Sequence, residues 1–443
     1  MIRSLTILPI FTLLVIVEAG CAAPELNPTP PLNEGAILSE AMELTHGFQR
    51  AGEAYFSPDM KWIIFQASMK PDEDYQMYVA QLKWEDGVPL LSKQEVSSHL
   101  AKQKGAAMSQ VTGLHTPIRI SPIPSWNSCG YFSPDGESLI FASTALKPKM
   151  TEEPGGYQRE KGSYRWRTPL GAEIFRADNW KGAVAAVPAG GSVDLAKHPL
   201  TDNSVYDAEC AYSPDGKWIV FAERVDEAKP AVPPANPDSL LKDAGQGRPA
   251  ASAPSQSPNT ELFAMRSDGS KKVRLTNAPG YDGGPFFSPE GKRVAYRSDR
   301  KGNNLLQVYV ADLVFDAAGD ITGLANEKQL TTETSPAGAP ADAKATADAK
   351  ASAKPQPAIN WTPYWHPDGK HIIWASSAQG HSNYELYLMR DDGSHKTRIT
   401  FTNGFDGLPV FSPDGKWLMW TSNRGPEKTS QIWIARFKLP EGS

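Results

Sequence analysis

The sequence has few of the residues from which most metal and redox sites are built. Its 443 residues include only three cysteines and eight histidines, and they form neither a C-x-x-C nor an H-E-x-x-H motif. The G-x-S-x-G motif is also missing, so the sequence gives no sign of an α/β-hydrolase nucleophile. Its 45 basic and 50 acidic residues give a net charge of −5 without a basic run, and we expect no nucleic-acid partner.

Long apolar runs are missing too, except near the first residue. An apolar core spans Leu5 to Val17, follows an arginine and precedes small residues, as in an export signal. The run is too short to cross a membrane. Cys21 follows Ala19-Gly20, which resembles a lipobox for bacterial lipid attachment. We therefore predict a lipoprotein-type signal peptide at 1–21 and a proline-rich tether at 22–41.

This interpretation places the protein in the periplasm or at the cell surface, held to the membrane only through lipid on Cys21. The lipobox prefers an apolar residue where this sequence has Glu18. Cleavage near Ala19 or Ala23 without lipid attachment is therefore the alternative.

The most informative feature of the sequence is a repeated hairpin. The segment FSPDGKWLMW at 411–420 has five near copies, which begin at Phe56, Phe132, Tyr212, Phe287 and Trp365. Pro-Asp-Gly favours a type I turn followed by a glycine in the left-handed conformation, which joins two antiparallel strands. In one copy His366 replaces the serine of the turn, and we interpret it as a turn residue. The second strand is apolar on both faces, which indicates a sheet covered on both sides.

Two more short strands follow each hairpin, for example ELYLMR from 385 and then TRIT from 397. Four short antiparallel strands per unit, with a period of roughly 40–50 residues, are typical of a propeller blade. We predict an all-β, six-bladed β-propeller over 42–438. The sixth unit has no fourth strand of its own, but the ELT at Glu43–Thr45 matches the TRIT pattern. The N-terminal strand should therefore complete the last blade and close the ring.

The repeat resembles that of the TolB-like six-bladed β-propellers, which are close to the WD-type repeats. The shared pattern is D-G-x-P-x-F-S-P-D-G-K, followed by D-G-S-x-x-x-R-[IL]-T, and the resemblance covers about 42 to 438. In TolB itself a small α/β domain precedes the propeller, and we expect no such domain here. The pattern also resembles propellers found beside secreted peptidases.

Insertions of about thirty residues interrupt each of the first four units. Those at 226–259 and 332–358 are rich in Ala, Pro, Lys and Ser, and we expect disordered surface loops. The insertion in unit two carries aromatic and arginine side chains of the kinds that dominate protein interfaces. It is either a possible interface or a loop packed against its own blade. Its candidate residues are Tyr157, Arg159, Tyr164, Arg165, Trp166 and Arg167.

A ring of polar residues is the main candidate for ligand binding. Five residues before the aromatic of each copy, five units carry Asp or Asn, at the entry to the strand that lines the channel. These residues are Asn127, Asp207, Asp282, Asn360 and Asp406, with Glu53 and Glu209 two positions further on. Such a channel mouth would attract a lysine- or arginine-bearing peptide, or a divalent cation such as calcium. The alternative is that these residues tie down loops through nearby backbone groups.

We expect an exported, monomeric, non-catalytic propeller that binds a protein or peptide of the cell envelope, without a required cofactor. Two alternatives stay open. One is a hydrolase or lyase that acts on a polymer at the channel mouth, since propeller enzymes gather catalytic residues from separate blades. The other is an accessory subunit of a secreted peptidase. The sequence identifies no catalytic residue.

Overall fold

The structure is a computed structural model that describes residues 34–70, 73–85, 110–146, 158–160, 163–165, 168–225, 259–334, 357–380 and 382–442. The predicted signal peptide lies outside these residues. So do most of the predicted tether and nearly all of the two low-complexity insertions. In the part of the chain that is described, no helix is long and apolar enough to cross a membrane.

Six antiparallel sheets form the six blades of a propeller, as the repeat predicts. From the axis outward, blade one contains β2 (Arg50–Phe56), β3 (Trp62–Ser68), β4 (Gln76–Trp84), β5 (Val111–Leu114) and β6 (Ile118–Arg119). Blade two contains β7 (Asn127–Phe132), β8 (Ser138–Ser143), β11 (Glu173–Asp178) and β12 (His198–Pro199). Blade three contains β13 (Asp207–Tyr212), β14 (Trp218–Arg224), β15 (Thr260–Arg266) and β16 (Val273–Arg274).

Blade four contains β17 (Asp282–Phe287), β18 (Arg293–Ser298), β19 (Gln307–Phe315) and β20 (Ile321–Gln329). Blade five contains β21 (Asn360–Trp365), β22 (His371–Ser376), β23 (Glu385–Arg390) and β24 (Thr397–Arg398). Blade six contains β25 (Asp406–Phe411), β26 (Trp417–Ser422), β27 (Gln431–Phe437) and, outermost, β1 (Leu38–Glu43). Two short helices, α1 (Glu34–Ile37) and α2 (Trp180–Ala185), and the hairpin of β9 (Gln158–Glu160) with β10 (Ser163–Arg165) lie outside the blades.

The repeated turn forms for the reason that the sequence indicates. In blade six, Gly415 has a φ of 70°, and its N–H donates to the Ser412 carbonyl oxygen at 2.8 Å. Asp414 Oδ1 accepts from the Ser412 hydroxyl at 2.6 Å and from the Lys416 N–H at 3.1 Å. All six residues of β26 are buried, because neighbouring blades cover both faces of the sheet.

A second repeated contact joins the third and fourth strands of a blade. In blade five, the Thr400 hydroxyl donates to Glu385 Oε2 at 2.7 Å and accepts from the Leu386 N–H at 2.9 Å. In blade three, the Thr276 hydroxyl donates in the same way to Glu261 Oε2 at 2.6 Å. In both blades the threonine that ends the TRIT-like segment therefore anchors the outermost strand.

The N-terminal strand closes the ring with this same contact. β1 pairs antiparallel with β27, and its pairing begins at Leu38, four residues before the predicted start of the propeller. The Leu44 N–H then donates to the Ile432 carbonyl oxygen at 2.8 Å, and the Thr45 hydroxyl donates to Gln431 Oε1 at 2.7 Å. The predicted closure is confirmed, and Thr45 takes the position of the fourth-strand threonine in blade six.

Candidate functional site

A bulge near the middle of every innermost strand turns one residue out of the ladder. In β2, for example, the pairing with β3 shifts register between Gly52 and Tyr55. The residue three positions before each hairpin aromatic has a left-handed backbone, with φ between 49° and 58°. We call these residues the bulge ring: Glu53, Cys129, Glu209, Gly284, Thr362 and Leu408. Five of the six are not glycine, in a conformation that non-glycine residues rarely adopt.

The bulge ring lines a central cavity of about 350 Å³. At one end the cavity reaches Arg50, the first residue of its strand, together with Asn423 and Ser430 in the loops of blade six. Trp361 and Phe405 form part of its wall, with ring centroids 5.9 Å apart. The bulges therefore give six blades one shared pocket, since each turns its residue towards the axis.

Four aromatic side chains close the other end of the cavity. They lie one position before the hairpin aromatics, and we call them the aromatic floor: Tyr55, Tyr131, Phe286 and Tyr364. The Tyr55 and Tyr131 centroids are 5.0 Å apart, as are those of Phe286 and Tyr364. Tyr131 and Tyr364 belong to opposite blades, and their hydroxyl oxygens lie 3.3 Å apart. Contact across the axis means that the cavity admits the end of a ligand and does not pass a continuous chain.

Glu209 is the more heavily bonded of the two carboxylates in the bulge ring. Its Oε1 and Oε2 accept from the Tyr281 hydroxyl at 2.5 and 2.6 Å, and Oε1 accepts from the Tyr206 hydroxyl at 2.9 Å. Its Oε2 also accepts from the Gly284 N–H at 2.6 Å and from Arg297 Nη2 at 2.9 Å. Arg297 forms a buried ion pair with it, so the two charges balance within the protein.

Glu53 has a very different environment in the same cavity. Its carboxyl accepts a long hydrogen bond from the Tyr55 hydroxyl, at 3.4 Å, and a weak one from the Cys129 thiol. Burial, and to a lesser degree the nearby Glu209 carboxylate, raises the pKa of Glu53 to about 7, although the Cys129 thiol and Arg297 oppose the rise. The cavity therefore contains a carboxyl group that gains or loses a proton near neutral pH.

The predicted Asp and Asn residues lie deeper in the blades than the sequence suggested. All five are at most 5 % exposed, and they are not among the residues that line the cavity. Asp406 accepts from Arg424 Nη2 at 2.8 Å and from the Trp420 indole N–H at 3.1 Å. Asp282 accepts from Arg300 Nη2 at 3.1 Å.

The other three make similar contacts. Asn127 Nδ2 donates to the Tyr75 carbonyl oxygen at 3.2 Å, and Asn360 Nδ2 donates to the Thr332 carbonyl oxygen at 3.0 Å. Asp207 Oδ2 accepts from Asn203 Nδ2 at 3.0 Å. This geometry agrees with the alternative interpretation, in which these residues tie loops to the blades. Glu53 and Glu209 line the cavity, and ligand binding by them stays a prediction.

The donor set of the cavity does not fit calcium well. Calcium takes six to eight oxygen ligands, whereas the oxygens of the five Asp and Asn residues lie away from the cavity wall and those of Glu209 already accept five hydrogen bonds. Of the two carboxyl groups among the described residues that line the cavity, only Glu53 then has oxygens available to bind a metal ion. The possible divalent cation therefore stays a hypothesis without support from this geometry.

A second candidate for metal binding is formed by His366, Asp368 and His371. His366 Nδ1 accepts from the Asp368 N–H at 3.2 Å, and His371 Nδ1 lies 2.7 Å from Asp368 Oδ2. A metal ion at these atoms would replace the hydrogen bonds that hold the hairpin turn. Serine bonds the aspartate in other copies, as Ser412 bonds Asp414, so the geometry agrees with the interpretation of His366 as a turn residue.

The remaining candidates are two cysteines and the insertion of blade two. Cys129 and Cys210 are buried free thiols, and burial raises the pKa of both. In the insertion, the backbone of β9 pairs with that of β10. Tyr157, Trp166 and Arg167 lie outside the described residues, so the predicted interface stays a prediction.

Both sets of residues have a fixed place in the repeat. The bulge ring lies three positions before each hairpin aromatic, and the aromatic floor lies one position before it. The Asp and Asn residues lie five positions before the aromatic, and in the structure they contact the blades and not the cavity. Glu53 and Glu209 were found because their charge made them conspicuous, whereas Thr362 and Leu408 have no such mark.

The fold and the cavity define a six-bladed β-propeller with a pocket on its axis. Residues 340–439 match the family model of the TolB beta propeller domain, which covers blades five and six. No curated protein matches the sequence. The ring is a six-bladed β-propeller, and the family match over blades five and six agrees with the resemblance of its repeat to the TolB-like propellers.

Several solved structures are similar at low identity. The putative TolB from Agrobacterium tumefaciens is 14 % identical, with a TM-score of 0.44, over 88 % of this chain and 91 % of that chain. TolB from Acinetobacter baumannii is 16 % identical, with a TM-score of 0.45, over 90 % and 67 %. An oligogalacturonate lyase in complex with manganese is 14 % identical, with a TM-score of 0.40, over 90 % and 93 %. Likeness at this level carries no argument about activity.

Proposed function

We propose that this protein is an exported, non-catalytic TolB-like propeller that binds a protein or peptide of the cell envelope through its central cavity. The observation that carries the proposal is the shape of the cavity, about 350 Å³ in volume and closed below by the aromatic floor. Concave sites with apolar walls and a few polar groups are typical binding sites. A pocket with one open end suits a chain terminus or a single inserted side chain.

Export and membrane attachment belong to the same proposal. The apolar N-terminal segment and Cys21 support a lipoprotein signal. Lipid on Cys21 and the residues that follow it would hold the propeller at the membrane surface. Partners would then be other proteins of the envelope, and we propose that the ring itself is monomeric.

The proposal is tested by filling the cavity. Ser430 lines the cavity and is half-buried, and its carbonyl oxygen accepts from the Ala51 N–H at 2.8 Å. Ser430→Trp keeps this backbone bond and places an indole in the opening. The control, Thr322→Trp, adds the same group at an exposed position on β20.

Protein lacking residues 1–23 would be used to capture partners from an envelope extract, followed by mass spectrometry. The proposal predicts a partner that binds the wild type and Thr322→Trp but is lost with Ser430→Trp. Partners retained equally by all three proteins would contradict a binding role for the cavity.

A second candidate function, a hydrolase or lyase, has one observation in its favour. Glu53, with a pKa of about 7, lies in one cavity with a second carboxyl group, Glu209, and general acid–base catalysis uses a group whose pKa is close to the working pH. The aromatic floor restricts such an enzyme to chain ends. Release of sugars or amines from envelope polymers by the wild type, but not by Glu53→Gln, would establish this alternative.

A further inference from the structure

We propose that the cavity selects a ligand with a primary ammonium group, which Glu53 binds between aromatic side chains. The ammonium would come from a lysine side chain or from a peptide N-terminus. This inference rests on the proposed function, because it concerns the same cavity and names the chemistry that the cavity recognises.

The carboxyl groups of the cavity differ in how many hydrogen bonds they already accept. The residues that line the cavity include two carboxyl groups, Glu53 and Glu209. Glu209 already accepts five hydrogen bonds, whereas Glu53 accepts a long one from the Tyr55 hydroxyl, at 3.4 Å, and one from the Cys129 thiol, which is a weak donor. An ionised carboxylate has about four acceptor sites. Glu53 can therefore accept from a ligand, and an ammonium group donates three hydrogen bonds and accepts none.

Thr362 supplies a second acceptor in the cavity. Thr362 is buried, with 5 % of its surface exposed. Its hydroxyl has no hydrogen-bond partner within the described part of the chain. Buried polar groups in native proteins are nearly always paired. Thr362 belongs to the bulge ring, as Glu53 does, so a ligand donor inside the ring can satisfy both residues.

The charges of the cavity favour a single cation. Arg297 and Glu209 form a buried ion pair and neutralise each other. Glu53, once ionised, adds one negative charge. Among the described residues, no basic side chain forms a hydrogen bond with it. At the rim, Arg50 lies 4.3 Å from the Tyr75 centroid and donates to Ser68 Oγ. Arg50 would therefore face the carbonyl or carboxylate part of a ligand whose ammonium end lies deeper.

The walls suit a cation as well. Aromatic rings attract an ammonium group within about 6 Å of their centroids, and the rings that line the cavity include Tyr55, Phe286, Trp361, Tyr364 and Phe405. The protein already uses one of them in this way, because the Arg297 guanidinium lies 6.0 Å from the Trp361 centroid.

Binding should depend on pH, because Glu53 must lose its proton to accept the ammonium group. The titratable or charged groups that face Glu53 are Tyr55 on its own strand and Tyr75, Cys129, Cys210, Glu209 and Arg297 on neighbouring elements. A pKa of about 7 leaves Glu53 mostly protonated at pH 6 and mostly ionised at pH 8. The affinity for an ammonium ligand should therefore rise about tenfold between these values, and binding should release about 0.9 proton per ligand at pH 6 but only about 0.1 at pH 8.

The test is calorimetry on the purified protein at pH 6 and pH 8. The probes are an end-capped pentapeptide with one central lysine among glycines, the same peptide with norleucine, and an uncapped pentaglycine that carries only an N-terminal ammonium. Glu53→Gln is the variant, and Glu427→Gln, at an exposed position, is the matched control. Circular dichroism would check that both variants are folded.

We expect the lysine peptide, the pentaglycine or both to bind the wild type and Glu427→Gln, about tenfold more tightly at pH 8, and Glu53→Gln to lose this binding. Which probe binds identifies the source of the ammonium group. The inference is overturned if norleucine binds as well as lysine, if no probe binds, or if folded Glu53→Gln binds unchanged. A partner lost with Ser430→Trp would still support the proposed function in each of these cases, so the two failures are distinguishable.

Discussion

Replacement of Glu53 by glutamine should make the ligand-free protein more stable at alkaline pH. The folded protein raises the pKa of this carboxyl from its ordinary 4.5 to about 7. Because the pKa is raised, the folded protein favours the protonated form of Glu53, and the free energy of unfolding is highest at low pH. It falls as the pH rises between 4.5 and 7, where the unfolded chain ionises more readily than the folded one.

The size of the effect follows from the same pKa difference. A rise from 4.5 to about 7 corresponds to about 3 kcal/mol between the two protonation states. Glu53 is only half-buried, so solvent screens part of its charge, and we expect a loss of about 1–3 kcal/mol in the wild type. Glutamine has a similar shape and no charge to bury. The difference in unfolding free energy between Glu53→Gln and the wild type should therefore grow by about 1–3 kcal/mol from pH 5 to pH 8.

Urea denaturation followed by tryptophan fluorescence would measure this difference. Other buried acids titrate in the same range, since burial raises the pKa of Asp207 and Glu385 to about 8, but both proteins contain them and their contributions cancel. Glu427→Gln should show no such growth. If the difference between Glu53→Gln and the wild type is the same at pH 5 and pH 8, Glu53 is well solvated and the account of the cavity is wrong.

Three other predictions concern ring closure, the buried acids and export. Thr45→Val removes two hydrogen bonds across the closure and should lower the free energy of unfolding in urea by about 1–3 kcal/mol. The comparison is Thr276→Val, which removes the same contact inside blade three. An unchanged urea midpoint for Thr45→Val would argue against closure by this strand. Asp406→Ala should lower the free energy of unfolding by about 3 kcal/mol, because it leaves the Arg424 guanidinium without its nearest buried carboxylate. Unchanged stability with weaker ligand binding would instead support the hypothesis that the ring of Asp and Asn binds a ligand. Cys21→Ser should move the protein from the membrane fraction to the soluble fraction, and a wild type that is already soluble would refute lipidation.

The fold could be predicted from the sequence because its strongest signals are local and repeated. Ser412-Pro413-Asp414-Gly415 specifies its turn through contacts between close neighbours, and the sequence contains five related turns. Closure by the N-terminal strand was also predictable, because Glu43–Thr45 repeats a pattern that ends other blades. Its longer pairing, from Leu38, was not, since LSEAM has no apolar alternation to mark a strand.

The site was harder to predict, because two of its causes are not local. Arg424 follows the second strand of blade six and folds back onto Asp406, and a linear sequence does not show this return. A bulge also reverses which residues of a strand face the axis, because it adds a residue to a pattern of period two. The linear pattern therefore predicts the Asp and Asn residues at the cavity, whereas Thr362 and Leu408 line it in the structure.

The closing strand has a consequence for the order in which the protein is assembled. Leu38 is synthesised about 400 residues before its partner Phe437. Joining ends separated by about 400 residues costs about 5 kcal/mol of chain entropy, and the five earlier blades must form to bring those ends together. The ring can therefore be completed only after synthesis of its last strand. A chain truncated before blade six would leave Leu38–Glu43 without its partner, as an edge available for pairing with another molecule.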